Sequence, residues 1–255
     1  MQIPSILDML QAGVHFGHKV SRWHPKMKPF IFTQRNQVHI IDLEKTRSQL
    51  EIILPQIKAI VASGKQILFV STKPQAREIV KQAAIDCGMP YLTDRWIGGM
   101  LTNFSEIKKL INRYIDLKSK QASGELAKYT KKEQLKIAKQ LEKMDTYLAG
   151  LVTLKKMPDA LFVPSVQREK ITITEANSTE VPVIGICDAN ANPTKVEYVI
   201  PGNDDAVKSI DMLVGLVRDA ITEGAEEFKK ANIIPETAGG LAISKKVSSK
   251  KEETK

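Results

Sequence analysis

Cysteine is scarce in this chain of 255 residues: it has only Cys87 and Cys187. Two cysteines build neither a disulfide framework nor a CxxC zinc site. Both sit in apolar stretches, which points to buried free thiols in a reducing compartment. Long hydrophobic runs are absent too. No segment approaches the roughly 18–20 apolar residues of a membrane helix, so no membrane partner is expected. The N-terminus, MQIPSILDMLQAGVHFGHK, has neither the basic start and apolar stretch of a secretory signal nor the Arg/Ser-rich character of a transit peptide. The glycine patterns of phosphate chemistry are missing as well: there is no GxGxxG, no GxxxxGK[ST] and no GxSxG. The tight pair Gly98-Gly99, in RWIGGMLTNF, has no second spaced glycine. A dinucleotide site or P-loop is therefore unsupported, no cofactor is expected, and an enzyme reading has no motif to stand on.

What is present is positive charge, unevenly spread. The formal net charge is +9. Residues 1–50 carry +4, 51–101 carry +2, 102–157 carry +7, 158–240 carry −7 and 241–255 carry +3. Basic patches in the N-terminal stretch, a central insert and the tail suit an acidic partner such as nucleic acid. The acidic stretch suits a protein neighbour. Hydrophobic residues at 42% and charged residues at 26% describe a soluble, cytoplasmic globular protein with ample core.

The apolar runs ILFVS (67–71), ALFVPS (160–165) and PVIGIC (182–187) read as buried parallel strands. VEYVIPGNDD (196–205) holds a fourth strand, VHIIDL (38–43) a fifth, and Tyr91–Trp96 a further one. Helical spacing fills the gaps: 75–87, ended by Gly88 and Pro90; 171–177; 206–223, capped by Asp204 or Asp205; and 46–62, with Pro55 as a kink or boundary. Strands alternating with helices predict an α/β fold, a doubly wound and mainly parallel sheet of flavodoxin/Rossmann type. The insert breaks the rhythm. Ile107, Leu110, Tyr114 and Leu117, then Ile137, Leu141, Met144, Leu148 and Leu151, repeat at 3-4-3 spacing around the turn Ala122-Ser123-Gly124. This predicts a protruding antiparallel coiled-coil hairpin. The expected organisation is a core of 1–101 and 158–238, a hairpin insert of 102–157 and a basic disordered tail of 239–255.

All four histidines fall within the first 39 residues. His15 and His18 have an i, i+3 spacing that can share zinc, but Gly17 lies between them and no thiolate is near. HFGHKVSRWHPKMKPF reads better as an RNA-facing segment, with Lys19, Arg22, Lys26 and Lys28 for phosphates and His15, His18 and Trp23 for shape or stacking contacts. The alternative is a solvated basic surface over a packed Trp23. Arg95, Asn103 and the hairpin lysines Lys108, Lys109, Lys131 and Lys132 join the candidate set. His39, Asp188, Asp204 and Asp205 are the candidates for a cation site at the strand ends, against a plain turn-and-cap role for the aspartates.

The ordered set QAGVHFGHKVSRWHPKMKPFIF (11–32), HIIDLEKT (39–46), ILFVSTKPQA (67–76), RWIGGMLTNF (95–104), LKKMPDALFV (154–163) and IPGNDDAVKSI (200–210) resembles the bacterial-type small-subunit ribosomal protein two (protein S-two) family. The similarity spans roughly 3–225. One departure follows ALFVP, where SVQREKITITEAN has Ser165 and Thr172 in place of the family's usual acidic residue and basic, Ala-containing helix. The resemblance implies an α/β domain with a protruding hairpin and no enzymatic activity. Its implied partners are small-subunit ribosomal RNA, neighbouring small-subunit proteins and protein S-one. Its implied location is a cytoplasmic ribosome, or an organellar one.

Overall fold

A computed structural model of the chain describes residues 3–232. The expected disordered tail, 239–255, lies outside them. The chain opens with helix α1 (Ile6–Gln11), started by a capping box in which Ser5 and Asp8 satisfy each other's amides. Three short strands follow, β1 (Phe16–Lys19), β2 (Ile31–Arg35) and β3 (Val38–Ile41). They form their own antiparallel sheet in the order β1-β3-β2. VHIIDL is therefore not a strand of the parallel sheet, as its apolar run suggested. The reason is local: Asn36 and Gln37 both adopt positive φ, so β2 turns straight back into β3 as a hairpin. β1 and β2, reading FGHK and IFTQR, are mostly exposed and carry no apolar run to announce them.

Helix α2 (Leu43–Ala62) starts at Asp42, whose Oδ1 accepts from the Glu44 and Lys45 amides. It runs on through Pro55 rather than ending there. Ile53, Leu54 and Ile57 are buried around that proline, and their burial outweighs the one backbone hydrogen bond it removes. The remaining elements alternate: β4 (Ile67–Val70), α3 (Pro74–Asp86), β5 (Tyr91–Leu92), α4 (Phe104–Ala122), α5 (Lys131–Leu148), β6 (Ala160–Val163), α6 (Lys170–Ser178), β7 (Val183–Cys187), β8 (Tyr198–Pro201) and α7 (Val207–Asn232). β5 is two residues long, shorter than the Tyr91–Trp96 strand expected. Asn203, not Asp204 or Asp205, satisfies the amides leading into α7. Its Oδ1 accepts from Asp205 at 2.8 Å and from Ala206 at 3.3 Å.

The strands β5-β4-β6-β7-β8 pair in that order, all parallel. In chain order this is the flavodoxin arrangement, with its switch point between β4 and β6. Side chains alternate across it. Ile67, Phe69, Ala160, Phe162, Ile184 and Ile186 pack with α2, α3 and α7 on one face. Leu68, Val70, Leu161, Val163, Val183 and Cys187 pack with α6 and the base of the hairpin on the other. The sheet is doubly wound, as expected. Both cysteines are free; Cys187 is buried and Cys87 half-buried, where desolvation pushes its thiol up to about 11.

The hairpin splits into two halves. Ile107, Ile111, Tyr114, Leu141, Met144 and Leu148 are buried in the core under the sheet. Between residues 115 and 140 no described side chain is buried. That distal half of α4 extends roughly 12 Å at 1.5 Å per residue.

Helices α2 and α7 touch backbone to backbone at Gly224, where a Cβ would lie 2.5 Å from the Lys58 carbonyl oxygen. Gly224→Ala is expected to destabilise the fold by about 1–3 kcal/mol, the usual range for overpacking. Urea unfolding followed by circular dichroism measures it.

Candidate nucleic-acid interface and the charged knot beneath it

The carboxyl ends of β6, β7 and β8 are followed by Ser165, Asp188 and Asp204-Asp205. Asp188 and Asp204 are buried. Buried carboxylates need cations, and two distant segments supply them. Lys73, just after β4, reaches Asp204 Oδ1 at 2.8 Å and Asp205 Oδ1 at 2.7 Å, and also donates to the Asp204 carbonyl. His18, on β1, lies with Nδ1 2.9 Å from Asp188 Oδ2 and Nε2 3.3 Å from Asp205 Oδ2. Ser165 Oγ donates to Asp204 Oδ2 at 2.6 Å. The contact with Asp188 raises the His18 pKa against the opposing effect of burial. Burial pushes the Asp188 carboxyl up while His18 opposes it. Lys73 is held above its ordinary value: burial alone would lower it, but Asp204 and Asp205 override that.

Backbone contacts fasten the same segment. The His24 amide donates to the Ala189 carbonyl at 2.8 Å and the Asn203 amide to the Val14 carbonyl at 3.1 Å. Gly17 sits so close that a Cβ there would lie 2.9 Å from the His39 carbonyl oxygen and 3.1 Å from Ala189 Cβ.

Of the four candidates for a strand-end cation site, three come together. Asp188, Asp204 and Asp205 gather with His18, each offering a ligand atom within 4.8 Å of the others. His39 is not in this group; its ring packs 5.0 Å from that of Trp23. The Lys73 ammonium already sits between Asp204 and Asp205. The His15–His18 pair, disfavoured as a zinc site in the sequence, separates: His18 turns to the aspartates, while the His15 ring lies tilted against Phe16 with centroids 4.0 Å apart. Burial lowers the His15 pKa, favouring a neutral ring.

The basic candidates lie outside this knot. Lys19, Arg22, Lys26 and Lys28 are exposed along β1 and the turns that follow it, and Lys26 Nζ donates to Thr194 Oγ1 at 3.1 Å. Trp23 is half-buried against His39. Arg95 and Asn103 are exposed in the loop between β5 and α4. That loop is organised by Glu175 of α6, whose carboxylate accepts from Trp96 Nε1 and the Gly99 amide, both at 3.0 Å, and from the Leu101 amide at 3.2 Å. Lys108 and Lys109 stand near the base of the hairpin. Lys131 and Lys132 stand near its tip, separated from them by roughly 20 Å of helix at 1.5 Å per residue. The hairpin lysines thus stand at two separate places along the hairpin rather than in one patch. Lys73, Ser165 and Glu175 escaped the sequence reading. Lys73 had a signal: it follows a parallel strand directly, where the sites of such sheets lie.

A flavodoxin-ordered α/β sheet with a basic helical hairpin, and with ion pairs closing the carboxyl ends of β7 and β8, defines the class of protein. The family described as ribosomal protein S2 matches residues 9–224. The small ribosomal subunit protein uS2 of Bdellovibrio bacteriovorus is 42% identical over 249 residues, covering 97% of this chain and 80% of that protein. The chain belongs to the ribosomal protein S2 family, structural proteins of the small ribosomal subunit. Among the described residues no helix is long and apolar enough to cross a membrane.

The raised His18 pKa has a definite sign. The protonated ring contributes its full stabilisation below the ordinary value of 6.5 and loses it as pH rises through the raised value. His18→Gln is expected to lower stability by about 1–3 kcal/mol at pH 6, the usual cost of leaving a buried polar group such as the Asp188 carboxylate without its partner. The gap to the parent protein should close as pH rises above 6.5. Thermal unfolding of both proteins across pH 5.5–9 reads it.

Proposed function

We propose that this chain binds small-subunit ribosomal RNA through phosphates, using the basic N-terminal segment and the hairpin, as a constituent of a cytoplasmic ribosome. The observation that carries this reading is the fixed display of Lys19, Arg22, Lys26 and Lys28. All four are exposed, on a segment pinned to the sheet edge by His18 and by backbone hydrogen bonds. A preordered row of cations adds charge without an ordering penalty on binding. The hairpin lysines supply a second point of attachment, so the RNA is gripped at two places on the molecule. Phosphate contacts of this kind position the protein and carry little sequence information.

Outside the turn from Arg168 to Thr172, the acidic balance of 158–240 is repelled by RNA and suits basic protein neighbours. Docking of protein S-one rests on the family resemblance. As a family of structural proteins, this one points to a scaffold without catalysis, which agrees with the missing phosphate-binding glycines.

Replacing Lys19, Arg22, Lys26 and Lys28 together by Glu is expected to abolish co-sedimentation with small subunits at moderate salt and to leave the thermal transition in place. The parent chain should travel with the subunit and be stripped by high salt. Co-sedimentation of the variant to the same extent as the parent overturns the proposal.

A further inference from the structure

In a sheet of this order the ligand crevice opens where the chain reverses, between β4 and β6. The knot occupies the ends of β6, β7 and β8. At the switch point itself an open crevice of about 470 Å³ remains, lined by Thr72, Arg77, Arg95, Trp96, Arg168 and Thr172 among others.

Three observations describe what this crevice takes. The first is charge. Asp94 and Glu169 also line it, but both are committed: Asp94 is paired with Arg77 at 3.6 Å, and Glu169 Oε1 accepts from both the amide and the hydroxyl of Thr72 at 2.6 Å. Arg95 and Arg168 have no side-chain partner among the described residues. With Asp94 cancelled by Arg77, Arg95 and Arg168 share the crevice with the one carboxylate of Glu169, whose bonds to Thr72 leave its charge in place, so the lining keeps a net positive charge. The second is the start of α6, a nine-residue helix with no side-chain cap, which brings its positive end to the same place. The third is Thr172, in the first turn of α6: it is fully buried, lines the crevice and leaves its Oγ1 without a hydrogen-bond partner. Buried hydroxyls are normally satisfied.

We propose that this crevice seats a phosphate of the RNA backbone, gripped by Arg95 and Arg168 and completed by the first turn of α6 with Thr172. This rests on the RNA-binding reading above and adds Arg168 and Thr172 to it. Guanidinium forks match phosphate oxygens in pairs. A backbone phosphate fits better than a free nucleotide for two reasons. The crevice is open to solvent, as a passing strand requires. It also offers no free ring for a base to stack on, because Trp96 is buried and donates its indole N–H to Glu175.

The test measures rebinding of the full-length chain to small subunits stripped of it, across a salt series, for the parent, Arg168→Ala and the Arg95→Ala/Arg168→Ala pair. Both arginines are exposed, so the fold is unaffected. Arg168→Ala is expected to weaken rebinding about 5–10-fold, and each arginine removed should lower the log–log salt slope by about one. Arg168→Lys should recover the slope but not the affinity, because an ammonium lacks the fork. Unchanged affinity and slope in the double variant overturn the inference; the RNA-binding reading then stands if the four-lysine/arginine-to-Glu variant still fails to bind. If that variant also rebinds like the parent, both fall. In a second arm adenosine monophosphate is titrated into the free chain by calorimetry. Heat that Arg168→Ala removes would assign the crevice to a free phosphate monoester and overturn the RNA source.

Discussion

Three carboxylates meet at the carboxyl edge of the parallel sheet, and the fold depends on how they are neutralised. Asp188 and Asp204 are buried there, and burying either one unpaired would be strongly destabilising. The chain answers with Lys73, which follows β4, and His18, from a separate sheet. Replacement of such a buried network by apolar residues is often neutral for stability. What it supplies is registry: only one placement of the N-terminal segment brings the imidazole between Asp188 and Asp205. The display of Lys19, Arg22, Lys26 and Lys28 follows from that placement, so a polar contact inside the molecule sets the geometry of the charged surface outside it.

The knot also changes what the sheet edge is for. Doubly wound sheets commonly hold a cofactor at this edge, presented to a glycine-rich loop and a helix start. Here no such loop exists, and side chains fill the space beyond β6, β7 and β8. The crevice between β4 and β6 stays open, and arginine side chains and the start of α6 supply its positive charge. The same architecture therefore serves as a rigid support for charged side chains, which is why fold alone says little of function.

The hairpin obeys the same division between apolar anchoring and polar display. Its base is buried under the sheet with Tyr114, whose hydroxyl bonds to Asp145 across the two helices. Its distal half carries lysines and no buried side chain. An apolar base anchored under the sheet thus carries the charged distal half away from the body.

Much of the architecture was legible because it depends on local pattern. The buried runs around Phe69, Phe162 and Ile184, the 3-4-3 spacing of Leu141, Met144 and Leu148, and the lack of a phosphate loop are all written in short stretches of sequence. The antiparallel sheet was not, because its outer strands are exposed and give no apolar signal, and because two residues at positive φ decide its hairpin. Passage of α2 through Pro55 was not, since tertiary burial overrode the local preference. The basic residues of the N-terminal segment could be named from composition, but not the partition of its histidines. His15, His18 and His39 look alike in sequence; the structure sends one to a phenylalanine, one to the aspartates and one against a tryptophan. The sequence by itself determined the class of fold, the helical hairpin and the sign of the surface charge, since these follow from periodicity and composition. Only the tertiary structure decided which charges meet: Lys73 reaches Asp204 across 131 residues and His18 reaches Asp188 across 170, and contacts of that range have no periodicity to announce them.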